Sequence, residues 1–298
     1  MGDHEPVLVA EFLALAEPKP GESWVDGTVG GGGHAGAILG RIGPAGRLIG
    51  IDRDPAAVET ARARLASSAN AQVERGSYER AGEVVRRHWG GDAVDGILLD
   101  LGVSSFQLDD PGRGFSFMRP GPLDMRMGPD APETAAQLVN RLGVEELEAA
   151  IREFGEEPRA RRVAEAIVRE RGTRPIEDTV RFAELVGSAA GGRRGRAHPA
   201  TRTFQAIRML VNREVERLEA ALASLPGLLR PGGRMAVITF HSLEDRPVKA
   251  AFRKLSRQDG WDLLTKHVVA PSREEVLRNP RSRSAKLRVI RRPDGERT

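Results

Sequence analysis

The chain has 298 residues and 46 Lys and Arg against 42 Asp and Glu, a formal net charge of only +4, so it is long enough for one large α/β domain or two smaller ones. Cysteine is absent, which excludes a disulfide framework, a thiolate metal site and a cysteine nucleophile. Nowhere do about eighteen apolar residues run together, and Met1-Gly2-Asp3-His4-Glu5-Pro6 is no basic start to an apolar leader, so a soluble cytoplasmic protein without a membrane partner is expected.

The basic residues are mostly arginine, with lysine confined to Lys19, Lys249, Lys254, Lys266 and Lys286. Arginine pairs with phosphate bidentately and stacks on bases, which points to nucleic acid. A GC-rich or heat-adapted genome gives the same bias, and composition locates no binding face.

In chain order, His4 to Ala16 sets Val7, Leu8, Phe12 and Leu15 on one helical face, ends at Pro18-Lys19-Pro20-Gly21, and is expected to pack on a sheet edge. Trp24 and Val25 close a short strand that runs through Asp26-Gly27-Thr28 into four glycines, Gly30 to Gly33. A helix beginning near His34 comes next and stops at Gly40 and Gly43-Pro44. Glycine lets backbone approach a ligand closely, and a helix N-terminus offers unpaired amides, so this segment reads as a cradle for a nucleoside cofactor. The next strand, Arg47 to Ile51, ends at Asp52, about twenty residues past the glycines, where nucleotide-binding sheets place a ribose-binding acid. A helix from Pro55, a strand from Ala71 to Tyr78, a helix from Glu79 to Trp89 and an apolar strand from Gly96 to Leu101 complete this part. Apolar strands without alternation, separated by helices, imply a parallel sheet buried on both faces.

From Ser104 to about Thr201 no strand is expected. Ala135 to Asn140, Val144 to Phe154, Arg159 to Arg171 and Ile176 to Val186 each carry an apolar stripe. The expected organisation is an α/β sheet domain over 1–105 and 201–298, with an all-helical domain inserted at 106–200. Gly191-Gly192-Arg193-Arg194-Gly195-Arg196 is a basic loop, read either as a solvated turn or as an RNA contact. Thr201 to Leu229 is expected as one long helix with Phe204, Ile207, Val211, Val215, Leu218 and Leu222 on its core face. Met235 to Phe240 is a fifth strand ending in His241-Ser242, and Pro247 to Leu255 is helical. Leu263 to Val269 and Lys286 to Arg292 are strand candidates with no long helix between them, expected as an antiparallel hairpin at the sheet edge.

An open parallel sheet binds ligands outside the carboxyl ends of its strands, and here those ends carry Asp26, Asp52, Ser77-Tyr78, Asp100 and His241-Ser242. Asp52 and Asp100 could instead cap the helices or turns next in the chain, and Tyr78 could be ordinary packing. Dinucleotide enzymes and S-adenosylmethionine methyltransferases share the first half of this plan; the terminal hairpin favours the methyltransferase.

His4-Glu5-Pro6-Val7-Leu8, Asp26-Gly27-Thr28 with Gly31-Gly32-Gly33-His34, Ile51-Asp52-Arg53-Asp54 and Gly96 to Ser105 together resemble the MraW/RsmH family. Arg113 to Phe117, Gly121 to Met127, Thr201 to Ala206, Phe240 to Arg246 and Asn279 to Arg288 resemble it as well, so the likeness spans nearly the whole chain. It implies a class I S-adenosylmethionine-dependent (Rossmann-like) fold with an inserted helical domain. The activity it implies is methylation of the exocyclic N4 of one cytidine in the decoding region of 16S rRNA, with the small ribosomal subunit as partner and no metal. Carried over by motif, Gly32, Gly33 and His34 would hold the methionine portion of S-adenosylmethionine, Asp52 its ribose, and Asp100 and Gln107 the far side of the pocket. Tyr78 stands where the family more often has phenylalanine, beside the adenine.

Methylating carbon 5 of a pyrimidine normally requires a cysteine to add to the ring, and this chain has none. An exocyclic amine needs only alignment and an acceptor for its protons. Asp100-Leu101-Gly102-Val103 replaces the Asp/Asn/Ser-Pro-Pro-aromatic motif of many amino-methyltransferases, which leaves Asp100 as first candidate for the catalytic acceptor and His241 as second. A nicotinamide oxidoreductase would explain the glycine loop but not the hairpin, and an RNA chaperone would leave Asp100 idle.

Overall fold

The computed structural model describes residues 6–91, 93–192 and 198–295, and the arginines of the basic loop at 193–196 lie outside them. The chain forms two units: one runs up to Gly102 and resumes at Val215, and the other covers Val103–Glu214. The helical unit is therefore longer at both ends than the 106–200 expected from sequence.

The sheet unit opens with α1 (Val9–Ala16), β1 (Ser23–Asp26), α2 (Gly33–Ile42), β2 (Arg47–Asp52), α3 (Pro55–Arg64), β3 (Ala71–Arg75), α4 (Ala81–Trp89) and β4 (Val94–Asp100). The helical unit holds α5 (Ser105–Asp109), α6 (Ala135–Arg141), α7 (Val144–Gly155), α8 (Ala160–Arg171), α9 (Thr179–Ala189) and α10 (Thr201–Asn212). The sheet unit then resumes with α11 (Glu214–Ser224), β5 (Leu229–Thr239), α12 (Ser242–Asp259), β6 (Asp262–Leu263), α13 (Arg273–Arg278) and β7 (Lys286–Arg291). Strand order is β3-β2-β1-β4-β5-β7-β6; the first five strands are parallel, while β7 is antiparallel to both β5 and β6.

Successive side chains in a strand point to opposite faces, and both faces of this sheet are covered. Trp24, Leu48 and Leu98 meet Phe12, Ile38 and Ile42 on one side, and Val25, Ile49 and Leu99 meet Val84, Leu218 and Phe252 on the other. This accounts for the uninterrupted apolar runs. In the helical unit Leu147, Ile151, Val163, Ile167, Phe182 and Ile207 share one core. Gly155 lets α7 and α10 approach, since a Cβ there would lie 2.7 Å from the Arg202 carbonyl.

Four expectations are corrected. The helix expected over 201–229 breaks at Arg213, which adopts left-handed backbone (φ 52°). Asn212 is fully buried, its amide donating to Met125 O (2.7 Å) and accepting from Met127 N (2.8 Å), and Arg208 forms a bidentate pair with Glu214 at 2.8 Å for both contacts. The apolar stripe is thereby divided: Phe204, Ile207 and Val211 enter the helical core, and Leu218 and Leu222 the sheet core. The second correction is that α1 lies against β5 and β7 rather than on a sheet edge. Arg234 of β5 holds its C-terminus, donating to Ala16 O (2.7 Å) and Glu17 O (2.6 Å) while pairing with Glu22. Third, α12 begins at Ser242, well before Pro247, because Glu244 reaches back to the amides of Phe240 (2.8 Å) and His241 (3.3 Å). Finally, β6 is only two residues long, and the stretch before β7 includes α13, capped by Ser272 Oγ accepting from Glu275 N at 3.1 Å.

Gly96 of β4 faces the Trp24 ring so closely that any Cβ would overlap it. Gly96→Ala should cost about 3 kcal/mol through overpacking. Gly40→Ala, in an open position on α2, should instead stabilise by about 1 kcal/mol. Urea midpoints of the two variants that moved in the same direction would contradict this packing.

Candidate functional site

Among the described strands the order reverses between β1 and β4, where neighbouring crossovers leave to opposite sides, and an open parallel sheet places its ligand crevice at the carboxyl ends of such a pair. The loop after β1 is folded by its own neighbours. Gly30 and Gly32 take positive φ (51° and 78°), and Gly32 caps α2 without any side chain of its own to satisfy the first-turn amides. A Cβ on Gly27 would press on Leu99 at 2.5 Å and on Tyr78 at 2.9 Å, and one on Gly33 would lie 2.9 Å from the Pro6 ring. Only glycine fits such a sandwich, and a helix N-terminus bare of capping side chains suits an anionic or polar ligand.

Three aspartates stand around this loop. Asp52 is fixed by backbone: one carboxylate oxygen accepts from Gly30 N and the other from Asp54 N, both at 2.9 Å. A carboxylate has four lone pairs, and the backbone amides of Gly30, Asp54 and Arg53 take three at most, so the acid remains able to accept from a hydroxyl. Burial pushes its pKa up to about 6 against those two amides, with the charge of Asp54 adding to the rise. Asp26 is 1 % exposed; Oδ1 accepts from Thr28 N at 3.2 Å, and Oδ2 is buried with no partner among the described residues. Burial pushes its pKa up to about 7, the Thr28 amide opposing and the charge of Asp52 reinforcing. Thr28 Oγ1 in turn accepts from Asp100 N at 2.6 Å, tying the loop to the end of β4. The Asp100 pKa is raised well above the usual carboxylate range, by burial first and then by the charges of Asp26 and Glu244. Its Oδ1 is likewise buried without a partner among the described residues, while Oδ2 lies 3.5 Å from His34 Nδ1.

His34 is 5 % exposed on the first turn of α2, with Nε2 at 2.9 Å from Val7 O. A carbonyl only accepts, so Nε2 carries a proton and Nδ1 faces Asp100. The segment supplying Val7 is itself pinned: Leu8, in left-handed backbone (φ 56°), donates its amide to Glu275 Oε1 at 2.8 Å. A linear chain of contacts thus runs from α13 through Leu8 and Val7 to His34 and Asp100.

Tyr78 begins a short 3-10 turn beside Gly27; Arg217 steadies that turn by donating to Ser77 Oγ (3.0 Å) and pairing with Glu79 (2.5 Å). At the end of β5, His241 Nε2 lies 3.1 Å from Glu244 Oε1, and Glu244 is 4 % exposed. Gly32, Gly33, His34, Asp52, Tyr78, Asp100 and His241 all belong to the sheet unit, at its strand ends. Gln107 belongs to the helical unit, where it is buried and its Oε1 accepts from Ser104 N at 3.1 Å in a reciprocal cap of α5. The roles of Thr28, Pro6, Val7, Glu244 and Glu275 are not legible in the sequence pattern. The spacing Ser272-x-x-Glu275 is a visible helix-start signal, but no local signal marks Pro6 as the neighbour of Gly33.

Two buried carboxylate oxygens without donors, close to like charges, mark a site built for a group that brings hydrogen-bond donors or positive charge. The folded protein keeps a proton on Asp26 up to about pH 7, whereas an ordinary aspartate loses it near 3.8. Between those values the folded state binds more protons than the unfolded chain, so stability falls as pH rises, by up to about 4 kcal/mol for so buried a group. Asp26→Asn should match wild type in melting temperature near the acid end of this window and exceed it above the window. Parallel pH profiles for the two proteins would remove this account of Asp26.

Residues 1–293 match the profile of the MraW methylase family. A ribosomal RNA small subunit methyltransferase H from Thermomicrobium roseum is 48% identical over 304 residues, covering 97% of this chain and 93% of its own. Its counterpart from Geobacter sulfurreducens is 48% identical over 304 residues, covering 96% and 97%. A solved rRNA methylase from Streptococcus thermophilus aligns with 98% of this chain and 100% of its own at 11% identity, with a TM-score of 0.47. The chain belongs to the MraW methylase family.

Proposed function

We propose that the protein methylates small-subunit ribosomal RNA, and that its target is the exocyclic N4 amine of one cytidine in the decoding region of 16S rRNA. The ribosomal RNA substrate rests on the family and on relatives named ribosomal RNA small subunit methyltransferase H. The observation that carries the chemistry is the pair of orphaned oxygens, Asp26 Oδ2 and Asp100 Oδ1, beside the uncapped start of α2. S-adenosylmethionine supplies an electrophilic methyl group on a sulfonium and carries an ammonium and ribose hydroxyls. Those are the donors and positive charge that these carboxylates lack. Asp52, already oriented by Gly30 and Asp54, would accept from the ribose hydroxyls. Gly32, Gly33 and His34 would hold the methionine end, Tyr78 would flank the adenine, and the family motif carries Gln107 over as a further cofactor contact.

Elimination and reach select the acceptor. Without cysteine there is no route through covalent addition to the ring, whereas an amine can attack directly once an acceptor draws on its N–H groups. A cytidine stacked in RNA cannot present that amine to a crevice at strand ends, so the base must be splayed out of its strand. Asp100 ends β4 and His241 lies two residues past the end of the adjacent β5, and both stand as acceptor candidates. Asp100 ranks first because its Oδ1 is buried and lacks a donor.

Radiolabelled methyl transfer to unmodified small subunits and to naked 16S rRNA tests the reading, with the product nucleoside identified by digestion. Label on N4-methylcytidine is expected, and label on any other nucleoside would overturn the specificity. Asp52→Ala should weaken S-adenosylmethionine binding about ten- to hundredfold in calorimetry; an unchanged affinity in the folded variant would sink its ribose role. Asp100→Asn should slow single-turnover transfer at least about a hundredfold at saturating S-adenosylmethionine. A wild-type rate under those conditions would reassign the acceptor to His241 or to a backbone carbonyl near Gly102.

A further inference from the structure

Away from the strand ends, the sheet unit carries a second charged surface. Helix α12 turns Val248 and Phe252 into the core, and Lys249 and Arg253, one turn apart, outward. Facing them, the chain just past β6 exposes Lys266, and β7 contributes Arg288. These four cations line one cleft whose floor is Phe252, Leu263 and Thr265, and no carboxylate lines it among the described residues.

Of these four charges only that of Arg288 is neutralised by direct pairing within the described residues. Asp245, on the first turns of α12, is engaged by Arg288 through Nε (2.7 Å) and Nη2 (3.1 Å) and by Lys286 at 3.8 Å. Arg253 and Lys266 make no hydrogen bond or ion pair with a described residue, and Lys249 shares only the field of Asp245. Several exposed arginines elsewhere are paired, Arg141 with Glu133, Arg161 with Glu165 and Arg291 with Asp262, each at 2.8 Å or less. Gathered like charges over an apolar floor repel one another, and a polyanion relieves that repulsion while the aliphatic stems stay packed. Lys249 lies seven residues into α12, about 10 Å along the helix from the end of β5. A strand whose base entered the crevice could therefore lay a neighbouring stretch of backbone over the cleft.

We propose that Lys249, Arg253 and Lys266, on the cleft that Arg288 also lines while bracing Asp245, bind backbone phosphates of the RNA strand that carries the target nucleotide. The identity of that RNA rests on the functional reading above; the binding chemistry rests on the cleft. The site recognises phosphodiester charge rather than sequence, so it acts as an anchor and leaves base choice to the crevice.

The test uses the full chain with Lys249, Arg253 and Lys266 all replaced by alanine, Arg288 being kept because it braces Asp245. The probe is a labelled single-stranded RNA containing the target cytidine, titrated at several KCl concentrations. The Kd should rise at least about tenfold at low salt, and the slope of log K against log salt should shrink by about two, at about 0.7 per phosphate lost. S-adenosylmethionine affinity and melting temperature should not change. A control replacing the exposed Arg41, Arg169 and Arg174 with alanine carries the same charge change and should keep the wild-type slope. Wild-type RNA affinity and slope in the cleft variant would overturn the proposal, as would an equal loss in the control. Loss of inorganic phosphate binding with RNA binding intact would overturn it too, since the cleft would then be a small-anion site. Because RNA binding is read apart from transfer, a wild-type protein that binds RNA but transfers no methyl group defeats only the functional reading.

Discussion

Three carboxylates held at the carboxyl ends of neighbouring parallel strands are the constraint on which the site depends. Asp26, Asp52 and Asp100 are close enough that the charge of Asp52 raises the pKa of Asp26 and that of Asp26 the pKa of Asp100, and burial raises all three. Such an arrangement opposes folding near neutral pH unless protons or a cationic, donor-rich ligand occupy it. The fold keeps it through backbone rather than side-chain cations: amides of Gly30, Asp54 and Thr28 serve the carboxylates, and Thr28 Oγ1 takes the Asp100 amide. No arginine side chain ranks among the influences on the pKa of these acids, Arg53 acting on Asp52 only through its backbone amide, which leaves the unsatisfied oxygens of Asp26 and Asp100 available to a ligand.

Distant pieces of chain make that geometry rigid. The Val7 carbonyl fixes the proton on His34 Nε2, and Glu275, 267 residues from Leu8, fixes the segment that carries Val7. Near the opposite ends of the strands, Arg234 joins the end of α1 to Glu22 and stacks over Trp24 at 5.4 Å. Both devices are buried charge-assisted hydrogen bonds that satisfy backbone groups a loop or helix end would otherwise leave bare.

The arginines illustrate why composition is a poor guide to function. Arg208, Arg217, Arg234 and Arg288 are committed to carboxylates inside the protein and hold helices and turns in place. Only position in the fold separates such structural cations from exposed ones that face each other across a cleft. A net charge of +4 says nothing about which is which.

The sequence by itself determined the parallel sheet, the glycine loop and the acids at strand ends, because each is written in a few adjacent residues. Short apolar runs, a strand-glycine-helix order and an acid closing each of three strands all have a local period or spacing. It also carried the family, through motifs spread along the whole chain. Tertiary structure alone decided where the long helix breaks, since Asn212 and Arg213 respond to the Met125–Met127 loop and not to their own helical propensity. It decided that α12 starts before its proline, that Pro6 closes over Gly33, and that Lys249 and Lys266 share a cleft. These features depend on contacts between residues far apart in sequence, whose energies exceed the local preferences that periodicity records.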